Sequence, residues 1–281
     1  MDHYSINSPD KLWYAEISAN FGANVTKLQY KGRDVFVPLD SKKQQKEEPF
    51  IHGCPILLPA NRTYKGRFCF EGKEYSLPLN DLKNNAHLHG VVHLSEFVVV
   101  KNSNDQLELE YLNDGSCYPF VFKISVKYTV KNDGFYQQYR IENTGNRNMP
   151  FTFALHTTFV EPETFSAPLS LCQQKDDHHI PTGKYVPLNL TEQKYVSGSR
   201  SQGLNISGYY KSSGNTAEIG DFRYTVSKNF DHWILFNGGG NKNFLCVEPQ
   251  CGAVNGLNID GGHTVLKPGE FEVFSTTVKT V

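Results

Sequence analysis

The stretch "FVFKISVKYTVKNDGFYQQYRIEN", residues 120–143, carries the clearest indication of a fold in this sequence. Apolar and polar residues alternate on both sides of "KNDG", and alternation with period two is typical of strands that bury one face. Asn and Gly supply the positive φ angles that a tight turn needs. The stretch therefore predicts two antiparallel strands joined by a short hairpin.

Similar runs recur along the whole chain and predict an all-β fold. The strand candidates are "KLWYAEIS", "ANVTKLQY", "EFVVVKN", "QLELEYL", "FVFKISVKYTV", "GFYQQYRIEN", "FTFALHTTF", "FRYTVS", "HWILFN", "NFLCVEP" and "FEVFSTTVKT". Turn signals such as "KNSNDQ", "NDGSC" and "FNGGGNKN" lie between them and favour antiparallel neighbours. The charged segment "LDSKKQQKEEPF" predicts a solvated loop or one short helix, and "KSSGNTAEIGD" predicts an exposed loop.

Length and composition narrow the class of protein. The 281 residues contain no internal repeat and no shift in composition, so we expect a single β-sandwich domain, residues 1–281. The 28 basic and 29 acidic side chains are scattered, which argues against a nucleic-acid partner. No run is long and apolar enough for a membrane helix, and no secretory leader is recognisable. We therefore expect a cytoplasmic location, reduced cysteines and no membrane partner.

The segment "NNAHLHGVVHLSEF" places His87, His89 and His93 close together and follows them with Glu96. In an extended backbone His87 and His89 would project to the same face, which is the spacing of some metal sites in β-barrels. The alternative is that these histidines cap a loop or satisfy buried hydrogen bonds. That interpretation is favoured for His87 and His93, and less so for His89, which precedes a glycine where a loop enters a strand.

Polar residues interrupt apolar runs at three further places. Asn61 and Arg62 lie in "CPILLPANRTYKGRF", where a guanidinium could donate to sugar hydroxyls or to an anion. His156 is predicted in the middle of the strand "MPFTFALHTTFV". Glu248 is predicted at the end of a hydrophobic strand, before a proline that stops the sheet, and a carboxylate among apolar neighbours can serve as a general base.

Taken in order, the motifs "ANRTYKGRF", "LHG", "PFTFALHTTF", "DHW" and "VEP...GLN" resemble those of the aldose 1-epimerase (galactose mutarotase) family. The resemblance covers nearly the whole chain. It implies a large antiparallel β-sandwich, the galactose mutarotase-like supersandwich. It also implies an isomerase that interconverts the α and β anomers of an aldohexose by opening the sugar ring, with no metal and no organic cofactor.

The resemblance further implies a role for each motif residue. His156 corresponds to the general acid, Glu248 to the general base, and His89 to a histidine that binds the sugar near its ring oxygen. Substrate-binding roles are implied for Asn61, Arg62 and Asp231.

The chain also departs from the family pattern. Val91 follows "HG", whereas His93 and Phe97 stand where many relatives have Arg and Trp. These departures leave the substrate open, including a hexose 6-phosphate, although loss of an arginine disfavours a phosphate.

A non-catalytic carbohydrate-binding sandwich is a further alternative, in which Trp233, Tyr64 or Tyr118 would stack on a sugar. Whether the protein is a monomer or a dimer is not predicted.

Overall fold

The computed structural model describes residues 3–281, and strands dominate it. The strands are β1 (His3–Asn7), β2 (Trp13–Ser18), β3 (Asn24–Tyr30), β4 (Arg33–Asp34), β5 (Ile56–Leu57), β6 (Arg62–Tyr64), β7 (Arg67–Phe70), β8 (Lys73–Ser76), β9 (Ala86–Leu88), β10 (Val98–Asn102), β11 (Gln106–Asn113), β12 (Phe122–Lys131), β13 (Gly134–Asn143), β14 (Met149–Phe151), β15 (Phe153–Leu155), β16 (Thr158–Val160), β17 (Phe165–Ser166), β18 (Leu169–Lys175), β19 (Pro181–Pro187), β20 (Ser207–Ser212), β21 (Thr216–Ile219), β22 (Phe222–Val226), β23 (His232–Phe236), β24 (Phe244–Cys251), β25 (Thr264–Leu266) and β26 (Phe271–Thr280).

Helices are few and short. The two α-helices of the described residues are α1 (Lys42–Glu47) and α2 (Leu190–Ser197), and 3-10 turns occur at Leu82–Asn84, Val92–Leu94 and Gly256–Asn258. Within residues 3–281 no helix has the length and apolar character needed to cross a membrane.

Two eight-stranded antiparallel sheets form the body of the fold, as the alternating runs predict. The first has the order β10-β11-β12-β13-β26-β22-β21-β17. The second has the order β19-β18-β20-β23-β24-β15-β5, with β16 also paired to β24. A four-stranded sheet, β1-β2-β3-β4, and three two-stranded ribbons complete the structure. The prediction of an all-β antiparallel sandwich is confirmed.

The hairpin of residues 120–143 forms as predicted. Strands β12 and β13 pair antiparallel over their full lengths, closing with Lys131 opposite Gly134. Phe122, Ile124 and Val126 point to the core, whereas the residues between them are half-exposed. Gly134 has φ of +151° and comes close to a backbone carbonyl, so a side chain at this position would collide with the sheet.

Aromatic side chains hold the two large sheets face to face. The rings of Phe153 and Phe274 are 4.7 Å apart, and those of Phe159 and Tyr224 are 5.4 Å apart, each pair joining one sheet to the other. A single hydrophobic cluster contains residues from Ile6 to near the C-terminus. That the chain forms one domain stays a prediction.

Several elements differ from the sequence prediction, and strands β18, β19 and β20 lie in none of the predicted strand runs. Residues 216–219, predicted as part of an exposed loop, form strand β21 and bury Ala217 and Ile219. The alternation there covers only four residues, between Asn215 and Gly220, which is too short a signal to recognise. Helix α2 was not predicted, although Asn189 and Glu192 form a capping box at its start. Of the two structures predicted for residues 39–50, a solvated loop or one short helix, the helix α1 forms.

Strand β24 carries different chemistry on its two faces, and this positions the site. All eight of its residues are buried. Leu245 and Val247 belong to the core between the sheets, whereas Glu248 alternates to the outer face beside Ile234 of β23. Loops of the chain cover that outer face, so a carboxylate on a central strand lies in a nearly dry environment.

Candidate active site

A cavity of about 260 Å³ lies on the outer face of the second sheet. Five of the six residues predicted as functional line it, namely Asn61, Arg62, His89, His156 and Glu248. They come from sequence positions almost two hundred residues apart. The fold therefore gathers most of the predicted residues around one cavity.

His156 and Glu248 lie in direct contact on the cavity wall. The Nε2 atom of His156 is 3.4 Å from Oε1 of Glu248, and both side chains are buried. His156 is not in mid-strand as predicted, because it occupies the break between β15 and β16, where its backbone N–H donates to the Pro55 carbonyl at 2.9 Å. The break opens the edge of β24 beside Glu248, so the imidazole of His156 can approach the carboxylate.

Glu248 lies inside β24 and not at its end, so the prediction that Pro249 stops the sheet is wrong. Pro249 pairs with Trp233, and the strand continues to Cys251. The N–H of Val247 donates to the carbonyl of Thr157, and alternation directs the nitrogen of Pro249 to the same edge of the strand. At Pro249 that edge faces the break between β15 and β16, so no ladder hydrogen bond is lost through the missing N–H of the proline.

The electrostatics of the pair follow from its burial. Burial alone raises the pKa of the Glu248 carboxyl well above its usual value. Burial, with a smaller effect from the charge of His93, lowers the pKa of His156 to about 3. Both shifts favour the neutral forms of the two side chains.

His89 occupies a backbone position different from the one predicted. Its φ is +66°, so the backbone is not extended at His89, and the strand that would project His87 and His89 to one face is not formed. His87 instead lies in β9 and bonds through Nδ1 to the Pro78 carbonyl at 2.7 Å. His89 lines the cavity, and its buried Nδ1 has no hydrogen-bond partner within residues 3–281.

Close backbone contact fixes the loop that carries His89. The N–H of His89 donates to the Asn61 carbonyl at 2.9 Å. Gly90 has φ of +63°, and a Cβ there would lie 2.0 Å from the carbonyl oxygen of Leu58. The glycine of "LHG" is therefore required for packing, and it holds the histidine against the cavity.

The histidine metal site considered from the sequence is not formed. Glu96 is exposed, and His87, His89 and Glu96 do not bring three donor atoms together in the part of the chain that the structure describes. His93 is buried against Phe50, with ring centroids 4.8 Å apart. Phe50 also contacts the rings of His89 and His156, and so covers the histidine cluster.

Arg62 is held in place at the cavity by two partners. Its Nε donates to Oδ2 of Asp81 at 2.8 Å, and its Nη1 donates to the Tyr209 hydroxyl at 3.0 Å. Asn61, with φ of +56°, turns the chain into β6 and accepts the Arg62 N–H on its side-chain oxygen at 3.0 Å. The remaining guanidinium donors can face a ligand in the cavity.

Asp231 is the one predicted site residue that does not line the cavity. Its carboxylate accepts from His232 Nδ1 at 2.9 Å and from the Gly252 N–H at 2.8 Å. The other ring nitrogen of His232 lies 2.8 Å from the Tyr185 hydroxyl. In this arrangement Asp231 orients neighbouring groups at the rim of the sheet.

The aromatic residues considered for sugar stacking do not form a platform. Trp233 and Tyr118 are buried in the core, and Tyr64 is exposed but does not line the cavity. Phe50 and Tyr209 line the cavity instead, and neither was predicted as a site residue. Neither lies in a recognisable motif, and only the tertiary fold brings them to the site.

The fold and cavity together define the class of protein, a mutarotase-like β-sandwich with a buried histidine–glutamate pair. A solved galactose mutarotase-like protein from Clostridium acetobutylicum superimposes with a TM-score of 0.88, covering 96% of this chain and 93% of that one at 21% identity. At that identity the similarity shows the fold alone.

The sequence profile of the aldose 1-epimerase family matches residues 14–279, and the chain belongs to that family. It is 24% identical to protein YihR of Escherichia coli K12 over 192 residues, which are 64% of this chain. It is 27% identical to the galactose mutarotase of Rattus norvegicus over 213 residues, or 68% of this chain. In both cases the match spans 61% of the relative's own length.

Proposed function

We propose that the protein is an aldose 1-epimerase that interconverts the α and β anomers of an aldohexose. The contact between His156 Nε2 and Glu248 Oε1 at 3.4 Å, on the wall of a sugar-sized cavity, carries this proposal. Opening the ring requires a base for the proton of the C1 hydroxyl and an acid for the ring oxygen. Those two oxygens are bonded to the same carbon, so the two catalytic groups must be close neighbours.

For catalysis, His156 and Glu248 must hold one proton between them. In ring opening, the Glu248 carboxylate accepts the proton of the C1 hydroxyl while protonated His156 donates to the ring oxygen, and the C1–O5 bond breaks. The step turns an ion pair into a neutral acid and a neutral imidazole, which are the forms that burial favours. After rotation about C1–C2, the reverse transfer closes the ring as the other anomer.

The other cavity residues are proposed to bind the sugar. Arg62 and Asn61 would donate to hydroxyl groups, and the unpartnered Nδ1 of His89 supports a hydrogen bond to the substrate. Asp231 would act from the rim, either on a distal hydroxyl or through His232. No metal or organic cofactor is required by this scheme, so treatment with a chelator should leave the rate unchanged.

Polarimetry of freshly dissolved α-D-galactose and α-D-glucose tests the proposal. The protein should accelerate mutarotation above the spontaneous rate measured without it. Glu248→Gln keeps the shape of the side chain but removes the base, and it should lower kcat by about 10²- to 10⁴-fold. A folded wild-type protein that accelerates neither sugar, nor any phosphorylated hexose, would refute the proposal.

A specific observation supports a hexose phosphate as the second candidate substrate. Lys175 lies over the Tyr209 ring at 4.5 Å and donates to the backbone carbonyl and hydroxyl of Ser207. Among residues 3–281 it makes no ion pair, and burial followed by the nearby Arg62 charge lowers its pKa to about 8. Lys175 contacts Tyr209 and Ser207, which line the cavity beside Arg62, so two cations at this rim suit an anion.

The ratio of kcat/KM for glucose 6-phosphate to that for glucose distinguishes the two substrates. If the phosphate binds at this rim, Lys175→Gln should lower kcat/KM for the phosphate about 10- to 100-fold and change that for glucose little. Lys184→Gln, at an exposed position on β19, is the matched control. Equal activity of wild type and Lys175→Gln on the phosphate would exclude this role for Lys175.

A further inference from the structure

Beneath the cavity, a third side chain joins the acid–base pair. Cys246 and Glu248 are two residues apart on β24, so both project to the outer face of the sheet. Donor atoms of Cys246, Glu248 and His156 all lie within 4.8 Å of one another, and the three residues are buried. The catalytic scheme uses the histidine and the carboxylate but gives the thiol no role.

The three donors form a set that suits thiophilic divalent cations. Zn²⁺ is bound by imidazole nitrogen, thiolate sulfur and carboxylate oxygen, at about 2.0–2.3 Å. Tetrahedral coordination at such lengths separates the donors by roughly 3.3–3.8 Å. The His156 and Glu248 atoms are already 3.4 Å apart, so a modest side-chain movement of Cys246 completes a three-residue site.

The surroundings leave these donors available to a cation. The sulfur of Cys246 has one weak partner, the Thr158 hydroxyl at 3.4 Å. Among residues 3–281 the Glu248 carboxylate accepts no hydrogen bond, and its polar neighbour is His156 Nε2 at 3.4 Å. His156 and Glu248 line the cavity, which gives a cation a path to the site and a water molecule a place as fourth ligand.

We propose that His156, Cys246 and Glu248 bind Zn²⁺ or Cd²⁺ and that the bound cation inhibits the enzyme. Binding forms a metal–sulfur bond as the thiol proton of Cys246 is released to water, and any proton on Glu248 is released with it. No group is oxidised or reduced. The inhibition rests on the proposed function, because the cation occupies the lone pairs that proton transfer needs. The binding of the cation does not rest on the proposed function.

The choice of cation follows from the donors. Mg²⁺ and Ca²⁺ prefer oxygen ligands and should bind weakly or not at all. The affinity for Zn²⁺ should rise with pH, because binding releases protons. These donors differ from the histidines of residues 87–96, which were considered as an alternative metal site from the sequence.

Absorption spectroscopy with Co²⁺ tests the binding without any measurement of activity. Titration of the wild-type protein should produce the intense near-ultraviolet band of a thiolate bound to Co²⁺, saturating at one equivalent and lost on addition of Zn²⁺. Cys246→Ser should abolish the band and weaken Zn²⁺ binding by more than about 100-fold. Cys251→Ser, at another buried cysteine of β24, should retain the band.

His156→Gln provides a second variant, since it removes a different ligand and should also weaken binding. Absence of the Co²⁺ band in wild type, or its persistence in Cys246→Ser, would overturn the proposal. Polarimetry then measures the inhibition: Zn²⁺ should slow wild type reversibly and slow Cys246→Ser far less, relative to each protein's own rate. If the band appears but the protein has no mutarotase activity, the metal site stands and the proposed function fails.

Discussion

Acid should destabilise this protein through its buried histidines, and His93 allows the effect to be measured. His93 is 4% exposed, packs on Phe50, and has no hydrogen bond to its Nδ1 among the described residues. Burial, followed by the charge of His87, lowers the pKa of His93 to about 4. His93 has no part in the proposed chemistry, so its replacement tests the electrostatics of the cluster alone.

The size of the effect follows from linkage between protonation and folding. The unfolded chain takes up the proton near pH 6.5, whereas the folded protein resists it until about pH 4. The contribution of neutral His93 is thus fully present above about pH 6.5 and is lost as pH falls. A difference of about 2.5 units corresponds to roughly 3 kcal/mol, a large part of the ~5–15 kcal/mol typical of a domain.

Urea unfolding at several values between about pH 7 and pH 4 measures this loss. In His93→Gln the decline in the free energy of unfolding should be smaller than in wild type by about 3 kcal/mol. Other titrating groups are shared by the two proteins and largely cancel in the comparison. His178→Gln, at an exposed position, should follow wild type. Equal declines in wild type and His93→Gln would refute the assignment of acid lability to the buried cluster.

Two further predictions concern binding and packing. Arg62→Gln should raise KM about 10-fold or more while lowering kcat less. Asp231→Asn should raise KM less than Arg62→Gln does, because Arg62 lines the cavity and Asp231 does not. Steady-state polarimetry measures both variants, and a larger effect at Asp231 would contradict this ranking. Gly90→Ala should destabilise the fold by about 3 kcal/mol or more in urea unfolding, since the positive φ and the backbone collision act together. Gly72→Ala, where φ is +75° but no atom lies within 4 Å, should cost less, and equal losses would contradict the role given to the collision.

Much of the fold could be predicted from the sequence because long alternating runs have only one reasonable structure. The hairpin of residues 120–143 is the best example, since its pattern and its turn residues agree. Strand β21 escaped prediction because four residues between turn signals carry too little pattern. The position of His156 in a strand break also escaped, because the β-branched and aromatic residues around it favour continuous strand.

The candidate site could be predicted only in part. His156 and Glu248 are 92 positions apart (248 − 156), and no periodicity links them; only the family resemblance placed them together. Phe50, Lys175 and Cys246 lie in no motif. Their relation to the site arises from the packing of loops and neighbouring strands, which a pattern along one chain does not contain.

The central claim is that His156 and Glu248 act as one proton-transfer unit. The most direct test measures kcat for Glu248→Gln, His156→Gln and the double variant by polarimetry, with circular dichroism to verify that each is folded. The account predicts that each single substitution lowers kcat by about 10²- to 10⁴-fold and that the double variant loses little more than the worse single one. Losses that multiply in the double variant, or near-normal turnover in either single variant, would contradict it.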